Sequence, residues 1–126
     1  AKISPNYSID DEGNPTFTAK GGIADIEVYD TSSESLVEVT LMRNKQQATN
    51  EIPAITRHLE EKKSKINNGK TIFSLFIAPQ IHTDTKYMCE FSKYHKNLDI
   101  IPLTICKFSE RIQETTSILE FLTDMV

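Results

Sequence analysis

The sequence predicts one α/β domain, a sandwich in which helices flank a central mixed β-sheet. Strand-type and helix-type segments follow one another in the order strand, strand, helix, strand, helix, strand, helix, which is the pattern of such folds. The segment TIFSLFIA, residues 71–78, is almost entirely apolar, as is typical of a strand covered on both faces. With 126 residues, the chain is long enough for one hydrophobic core and too short for two.

The first two strands are predicted to form a β-hairpin. Residues 23–29 and 36–42 alternate apolar and polar side chains around a cluster of short polar residues. If the hairpin turns about Thr31 and Ser32, the residue numbers of the two members of each cross-strand pair add up to 63. A loop longer by one residue would shift this register. A further short strand over residues 16–19 is expected before the hairpin.

Helical composition follows the hairpin over residues 44–66, with Leu59 and Ile66 on the apolar side. Pro53 must kink this helix or begin a second one, because proline lacks the N–H donor and clashes with the preceding turn. Residues 71–78 then form the centre of the sheet.

Two more helices are predicted from their N-terminal caps, Asp84 for a helix that continues to residue 98 and Ser109 for a final amphipathic helix. Between them, residues 99–105 form a last strand, in which Pro102 indicates an edge position or a strand start. The candidate core residues of the final helix are Ile112, Ile118, Leu119 and Leu122.

The composition, with 38% hydrophobic and 25% charged residues, is that of a soluble globular protein. No apolar run approaches the roughly 20 residues of a membrane span, and residues 1–20 lack the features of a secretory signal. Cys89 and Cys106 lie in apolar surroundings without metal-ligand spacing, so both are expected to be reduced core residues of a cytoplasmic protein. A net charge of −4 lacks the basic excess of typical DNA-binding proteins.

Two carboxylates interrupt the apolar alternation of the predicted hairpin. In the assumed register Asp25 lies opposite Glu38, with Cβ atoms about 4.5–5.5 Å apart, where like charges destabilise a strand pair. A divalent cation such as Mg²⁺, which takes one or two carboxylates, would relieve this repulsion. Glu27 and Thr40 share the same face. An ordinary solvated face with acids at alternating positions is the other interpretation.

Glu51 and His58 are seven residues apart on the predicted helix and share one face if Pro53 only kinks it. A helical glutamate is usually solvated, and a lone histidine is usually a packing residue. Together with the two hairpin acids, however, they provide the groups needed for metal-assisted hydrolysis with a nearby acid or base.

The hairpin resembles the sheet of the PD-(D/E)XK nucleases, with "AD" at Ala24 and Asp25 and "EVT" at residues 38–40. More specific are the strings "AKGGIADIEVYD", "LVEVTLMR", "RHLEE", "LFIAPQIHTDT" and "IIPLTI". They resemble the cleavage domain of the AlwI-type restriction endonucleases, the group related to MlyI, PleI and nicking enzymes. The resemblance runs from about Gly13 to Cys106.

The resemblance implies a restriction-endonuclease-like fold and hydrolysis of DNA phosphodiester bonds with Mg²⁺, for which Mn²⁺ can substitute. Asp25 and Glu38 match the metal-binding acids, and Glu51 and His58 match the acid and histidine on the helix. Glu51 is expected to bind or orient the metal-bound water. His58 is expected to donate a proton, orient water or contact the scissile phosphate, and the sequence leaves these three roles open.

The sequence departs from the nuclease motif at two positions. Thr40 stands where the motif has a lysine, and His58 is expected to take over part of that lysine's work. Ala24 replaces the proline of the motif. The family also has a further acid on a helix before the hairpin, and that helix would precede Ala1.

The resemblance also predicts how such a protein meets DNA. Residues 1–126 are expected to be one cleavage domain of a longer protein, in which a separate domain or subunit recognises double-stranded DNA. Cutting both strands would need a second catalytic domain, through a transient homodimer or a heterodimer. Lys45, Gln46 and Gln47 could contact the DNA backbone or form a solvated helix end.

Two other functions remain open at the level of sequence. One is an inert nuclease-like module for DNA binding or assembly. The other is a protein-interaction domain whose acidic hairpin face contacts a basic partner.

Overall fold

A five-stranded mixed sheet forms the centre of the computed structural model. The model describes residues 2–5, 8–9, 11–12, 15–17, 24–65, 69–114, 118 and 120–123. In spatial order the strands are β1 (Lys2–Pro5), β4 (Ile26–Tyr29), β5 (Ser33–Val39), β6 (Thr71–Ala78) and β7 (Ile100–Thr104). The pairs β1–β4 and β4–β5 are antiparallel, whereas β5–β6 and β6–β7 are parallel. Strands β2 (Ser8–Ile9) and β3 (Pro15–Phe17) form a separate two-stranded sheet.

Helices cover both faces of the five-stranded sheet, which confirms the predicted α/β sandwich. The helices are α1 (Gln46–Asn50), α2 (Ile52–Lys65), α3 (Thr83–Lys96), α4 (Ile105–Glu114) and α5 (Glu120–Thr123). One core cluster joins the sheet to α2 and α3, through Leu36, Phe76, Ile55, Leu59 and Cys89 among others. A second joins the opposite face to α4 and α5, through Val37, Phe73, Leu75, Phe108 and Phe121 among others. Among the described residues, no helix is long and apolar enough to cross a membrane.

The β4–β5 hairpin has the predicted register. Ile26 pairs with Val37, and Tyr29 pairs with Glu34. The Asp30 N–H donates to the Ser33 carbonyl at 2.8 Å, which closes a two-residue turn. The strand β5 nevertheless begins at Ser33, three residues before the predicted start at Leu36, and it ends at Val39 rather than at residue 42. The polar residues 33–35 continue the ladder because the turn is so short.

The helical segment after the hairpin divides at Glu51, which lies in a turn between α1 and α2. Its backbone still has right-handed helical angles, and its carbonyl accepts the Ile55 N–H at 3.1 Å. Pro53 therefore begins a second helix, one of the two predicted outcomes, because a first-turn residue needs no N–H donor. The helical direction is almost unbroken, and residues on the two sides of Glu51 can share one face.

The strands β6 and β7 lie where the sequence predicted them. β6 pairs on both sides and is buried from Ile72 to Ala78. β7 is an edge strand, which accommodates Pro102.

The N-terminal segment contributes a strand to the main sheet that was not predicted from the sequence. β1 pairs with β4 over four residues, and Pro5 is tolerated because β1 is an edge strand. The short strand expected over residues 16–19 is found as β3, but it pairs with β2 outside the main sheet.

Asp84 and Ser109 were predicted as helix N-caps, and neither residue has that position. Helix α3 starts at Thr83, and its cap is His82, whose Nδ1 accepts the Asp84 N–H at 3.1 Å. Asp84 lies in the first turn, where its negative charge interacts favourably with the helix dipole. Ser109 lies inside α4, which follows β7 directly. The Thr104 hydroxyl accepts a hydrogen bond from the Lys107 N–H at 3.1 Å and so provides a partner for one of the free N–H groups in the first turn of α4.

The predicted core residues have mixed outcomes. Leu59 and Cys89 are buried, and Ile118 packs against the second core cluster, as predicted. Ile112 is 48% exposed and Cys106 is exposed, so both predictions are wrong. Helix α4 contains no buried residue, because it lies at the surface of the second cluster. The structure does not describe Ile66, Leu119 or the side chain of Leu122.

Gln47 is fully buried and connects three segments that surround the end of the hairpin. Its amide nitrogen donates to the carbonyls of Met42 and Gln80 at 2.7 and 2.8 Å. Its amide oxygen accepts from the His82 N–H at 3.0 Å and from the Thr85 hydroxyl at 2.7 Å. Gln47 therefore cannot contact DNA in this conformation, which corrects that interpretation, whereas Lys45 and Gln46 are exposed.

Replacing Gln47 by alanine should destabilise the fold by about 2–4 kcal/mol, because buried donors and acceptors lose their partners and a cavity remains. Urea unfolding followed by circular dichroism measures this loss. The matched control is Gln46→Ala on the adjacent exposed position, expected within about 0.5 kcal/mol of the wild type. Equal stabilities for the two variants would contradict a structural role for Gln47.

Candidate active site

The open end of the β4–β5 hairpin brings Asp25 and Glu38 together. Because Ile26 pairs with Val37, the next residues along the two strands lie opposite each other. The Asp25 N–H donates to Glu38 Oε1 at 3.2 Å, and the Val39 N–H donates to Asp25 Oδ2 at 2.9 Å. Each carboxylate is thus held by a backbone amide of the other strand.

His58, on the first half of α2, lies against the same carboxylate. Its Nδ1 is 3.5 Å from Glu38 Oε2, and the two side chains are only 11% and 13% exposed. This nitrogen is buried and forms no hydrogen bond with any described residue. The helix therefore places a sparsely solvated imidazole directly beside one of the hairpin acids.

Glu51 reaches the site from the turn between α1 and α2. The Thr40 hydroxyl donates to Glu51 Oε1 at 3.2 Å and accepts the Met42 N–H at 3.2 Å. The backbone of Thr40 is fixed in turn, since its N–H donates to the Ile77 carbonyl on β6. Thr40, at the position of the motif's lysine, is therefore a hydrogen-bond partner of the third acid.

The surroundings of Glu38 disfavour the ionised form of its carboxyl group. Burial and the nearby Asp25 carboxylate raise the pKa of Glu38 to about 7, with a smaller contribution from Glu51. The hydrogen bond from the Asp25 N–H opposes this shift but does not cancel it. Burial also lowers the pKa of His58. Both shifts favour the uncharged forms of Glu38 and His58.

The described residues contain no group of three or more His, Cys, Asp or Glu side chains arranged to hold a metal ion. Mg²⁺ does not require such a group, because it commonly binds through one or two carboxylates and keeps several waters. Asp25 and Glu38 match that smaller set. Two carboxylates held close together by backbone N–H groups repel each other, and a cation between them would reduce that repulsion, so the donor chemistry fits a hard divalent cation.

A second charged cluster lies at the turn end of the same sheet face and was not predicted. Glu34 is buried between Lys62 and Lys70, with N···O distances of 3.5 and 3.6 Å. Lys62 also lies 4.9 Å from the ring centre of Tyr29, whose hydroxyl donates to Glu27. The spacing of four residues between His58 and Lys62 was the signal in the sequence, since it places both on one side of α2.

Comparisons with known proteins agree with this architecture. The chain matches the sequence model of the AlwI restriction endonuclease family over residues 1–110. Its fold is similar to that of the small subunit, R.BspD6I2, of the heterodimeric restriction endonuclease R.BspD6I, with a TM-score of 0.78 and 29% identity. That match covers 91% of this chain and 59% of the subunit, so the chain spans about three fifths of the subunit's length. No curated protein sequence matches the chain.

Glu38→Gln should stabilise the cation-free protein at pH 8. The folded state raises the pKa of Glu38 from 4.5 to about 7, so ionisation destabilises the fold progressively across that interval and fully above it. Removing the charge is expected to add roughly 1–3 kcal/mol at pH 8 and almost nothing near pH 4.5. Thermal or urea unfolding at the two pH values measures the difference.

The control for this experiment is Glu90→Gln, which removes a carboxylate from the exposed side of α3. It should change stability little at either pH. A Glu38→Gln variant that is less stable than the wild type at pH 8 would show that the ionised carboxylate stabilises the fold.

Proposed function

The chain belongs to the AlwI restriction endonuclease family, and we propose that it is the Mg²⁺-dependent cleavage domain of a type IIS or nicking restriction enzyme. The proposed reaction is hydrolysis of a DNA phosphodiester bond. The observation that supports it most is the pairing of Asp25 with Glu38 at the hairpin end, with His58 3.5 Å from Glu38. On an ordinary solvated face, the two acids would not be partly buried and held by backbone N–H groups across the hairpin.

Asp25 and Glu38 are the proposed metal-binding residues, and Glu51 is proposed to bind the metal or orient a water at it. When bound, Mg²⁺ or Mn²⁺ would stabilise charge on the phosphoryl oxygens and favour water as the nucleophile. The backbone donors of Asp25 and Val39 fix one oxygen of each hairpin carboxylate. The two acids are thus oriented before a cation arrives, which limits the reorganisation that binding requires.

His58 is proposed to act mainly by positioning Glu38. Burial lowers the pKa of His58 and so favours the neutral imidazole, which can donate one N–H to a carboxylate that a cation keeps ionised. This role replaces only part of what the motif's lysine supplies, because a neutral group adds no positive charge beside the attacking water.

Thr40 is proposed to act through Glu51 rather than on the substrate. Its hydroxyl joins the end of β5 to the start of α2 through the Glu51 carboxylate. The residue that replaces lysine would therefore fix the position of the third acid.

Sequence recognition is proposed to reside in another domain or subunit, in keeping with the net charge of −4. The similar solved structure is a subunit of a heterodimeric restriction endonuclease and is longer than this chain. A heteromeric or homomeric partner would provide the second catalytic domain for a double-strand break. The proposed setting is the cytoplasm, within a restriction-modification system.

Asp25→Asn and Glu38→Gln should each reduce DNA cleavage about 100-fold or more, because each removes a charge that the transition state depends on. Nicking of supercoiled plasmid at low salt, with Mg²⁺ or Mn²⁺, measures the rate. Isothermal titration calorimetry with Mn²⁺ measures cation binding separately from cleavage. Both variants should bind Mn²⁺ more weakly than the wild type.

The matched control is again Glu90→Gln, which should retain both cleavage and cation binding. Undiminished cutting by either hairpin variant would contradict the assignment. A folded wild-type chain that neither binds Mn²⁺ nor nicks DNA would favour the inert nuclease-like module instead.

Thr40→Val should lower Mn²⁺ affinity and the cleavage rate about tenfold, since it leaves Glu51 without its donor while keeping the side-chain shape. Thr40→Ser, which keeps the hydroxyl, should restore most of both. The free energy of unfolding, measured with urea, should change by no more than about 1.5 kcal/mol. A valine variant with wild-type cation affinity would show that Thr40 does not position Glu51.

A further inference from the structure

The loop that connects β5 to α1 carries positive charge directly beside the candidate active site. Residues 39–50 include Arg43 and Lys45 and contain no aspartate or glutamate, whereas the whole chain has a net charge of −4. We call residues 40–45 the β5–α1 loop. Its first residue, Thr40, follows Glu38 closely in β5 and donates a hydrogen bond to the Glu51 carboxylate. The loop is therefore continuous with the acids of the site.

The two cations of the β5–α1 loop are available to an anion outside the chain. Arg43 and Lys45 are exposed, and neither forms an ion pair with any residue that the structure describes. By contrast, three lysines of α2 and α3 have a carboxylate oxygen within 3.5 Å: Lys62, Lys93 and Lys96. The charge of the loop is thus not consumed by a described acid of the same chain.

Hydrogen bonds fix the backbone of the β5–α1 loop. The Met42 N–H donates to the Thr40 hydroxyl at 3.2 Å, and the Met42 carbonyl accepts from the buried Gln47 amide at 2.7 Å. Between these anchors the Leu41 side chain is 86% exposed. A loop held in this way presents its exposed side chains in a defined arrangement, which reduces the ordering cost of binding.

Charge and distance together indicate which partner the loop contacts. Arg43 follows Glu38 by five residues, so their Cα atoms are at most about 18 Å apart. Duplex DNA carries one phosphate charge per about 1.7 Å of its axis, so a duplex with one phosphate at the site has others within reach of the loop. Guanidinium and ammonium groups bind phosphates, and leucine is among the apolar residues that proteins insert into DNA grooves. The substrate of the adjacent site therefore matches the loop in charge and in position.

We propose that the β5–α1 loop binds the DNA backbone beside the scissile phosphate, through Arg43 and Lys45, and that Leu41 packs against the sugars and base edges next to the contacted phosphates. The proposal rests on the proposed nuclease function, because that function places DNA at the site. Arg43 and Lys45 hold phosphates that do not react, so they orient the substrate without reading its sequence. Two such contacts add modest affinity, which leaves sequence recognition to another domain or subunit.

The salt dependence of DNA binding tests the two cations. Fluorescence anisotropy of a labelled duplex is measured with the chain in Ca²⁺, at several salt concentrations. Each phosphate contact contributes about 0.9 to the slope of log affinity against log salt concentration, so Arg43→Gln combined with Lys45→Gln should reduce the slope by about 1.8. The affinity of this double variant at low salt should fall at least about tenfold.

The matched control is the double variant Lys86→Gln with Lys107→Gln. It removes the same charge from exposed positions on α3 and α4. It should keep the slope and nearly the affinity of the wild type, because these lysines lie outside the loop. Equal slopes for the loop variant and the control, or a wild-type chain that does not bind the duplex at low salt, would overturn the proposal.

Leu41→Ala tests the apolar contact separately. It should lower the affinity about threefold or more without changing the salt slope, since it removes apolar area and no charge. Leu41→Met, which keeps a side chain of similar size, should bind nearly as the wild type does. Circular dichroism checks that each variant is folded. An alanine variant with wild-type affinity would refute the contact by Leu41.

Nicking of plasmid with Mn²⁺, measured in parallel, separates this proposal from the nuclease function. A wild type that nicks DNA, with a loop variant that binds the duplex normally, would refute the loop contact and leave the nuclease function intact. A wild type that binds through Arg43 and Lys45 but does not nick would support the loop contact and contradict the proposed catalysis.

Discussion

The two-residue turn of the β4–β5 hairpin is the constraint on which the candidate site depends. With Asp30 and Ser33 hydrogen-bonded, the register leaves Asp25 and Glu38 opposite each other one step past the last pair of the ladder. Both carboxylates are anchored to backbone N–H groups of the opposite strand, so they cannot separate without losing those bonds. The proximity of the two acids is therefore fixed by the backbone, and together with burial, the larger cause, it raises the pKa of Glu38 to about 7.

The rest of the fold keeps this unfavourable arrangement in place. Helix α2 covers Glu38 with His58 and so increases the effect of burial on both groups. Gln47 holds the loop after β5 and the loop after β6 with four hydrogen bonds, next to the turn that presents Glu51. A fully satisfied buried amide adds stability and rigidity near a site that reduces stability. Such a local conflict, supported by its surroundings, is typical of functional sites.

Local patterns in the sequence predicted some of the features that depend on neighbouring residues, although not the helix caps. The hairpin register followed once a two-residue turn was assumed, and Pro53 predicted either a kink or a second helix, of which the structure has the second. What could not be predicted depends on distant partners. Strand β1 is polar and contains a proline, and it becomes a strand only because β4 offers a free edge. Gln47 looked like a surface residue, because the two carbonyls, the N–H and the hydroxyl that it binds come from three separate segments.

The acidic side chains of the candidate site oppose the close approach of a DNA phosphate. The acidic side chains of Asp25, Glu38 and Glu51 repel a phosphate backbone, and burial lowers the pKa of His58, which disfavours a compensating positive charge there. The chain as a whole has a net charge of −4 and adds no general attraction to DNA. In the proposed function, a bound cation would offset this charge as a phosphate approaches. In the proposed nuclease, the binding energy for DNA would come from other surfaces, such as an attached recognition domain or a partner subunit.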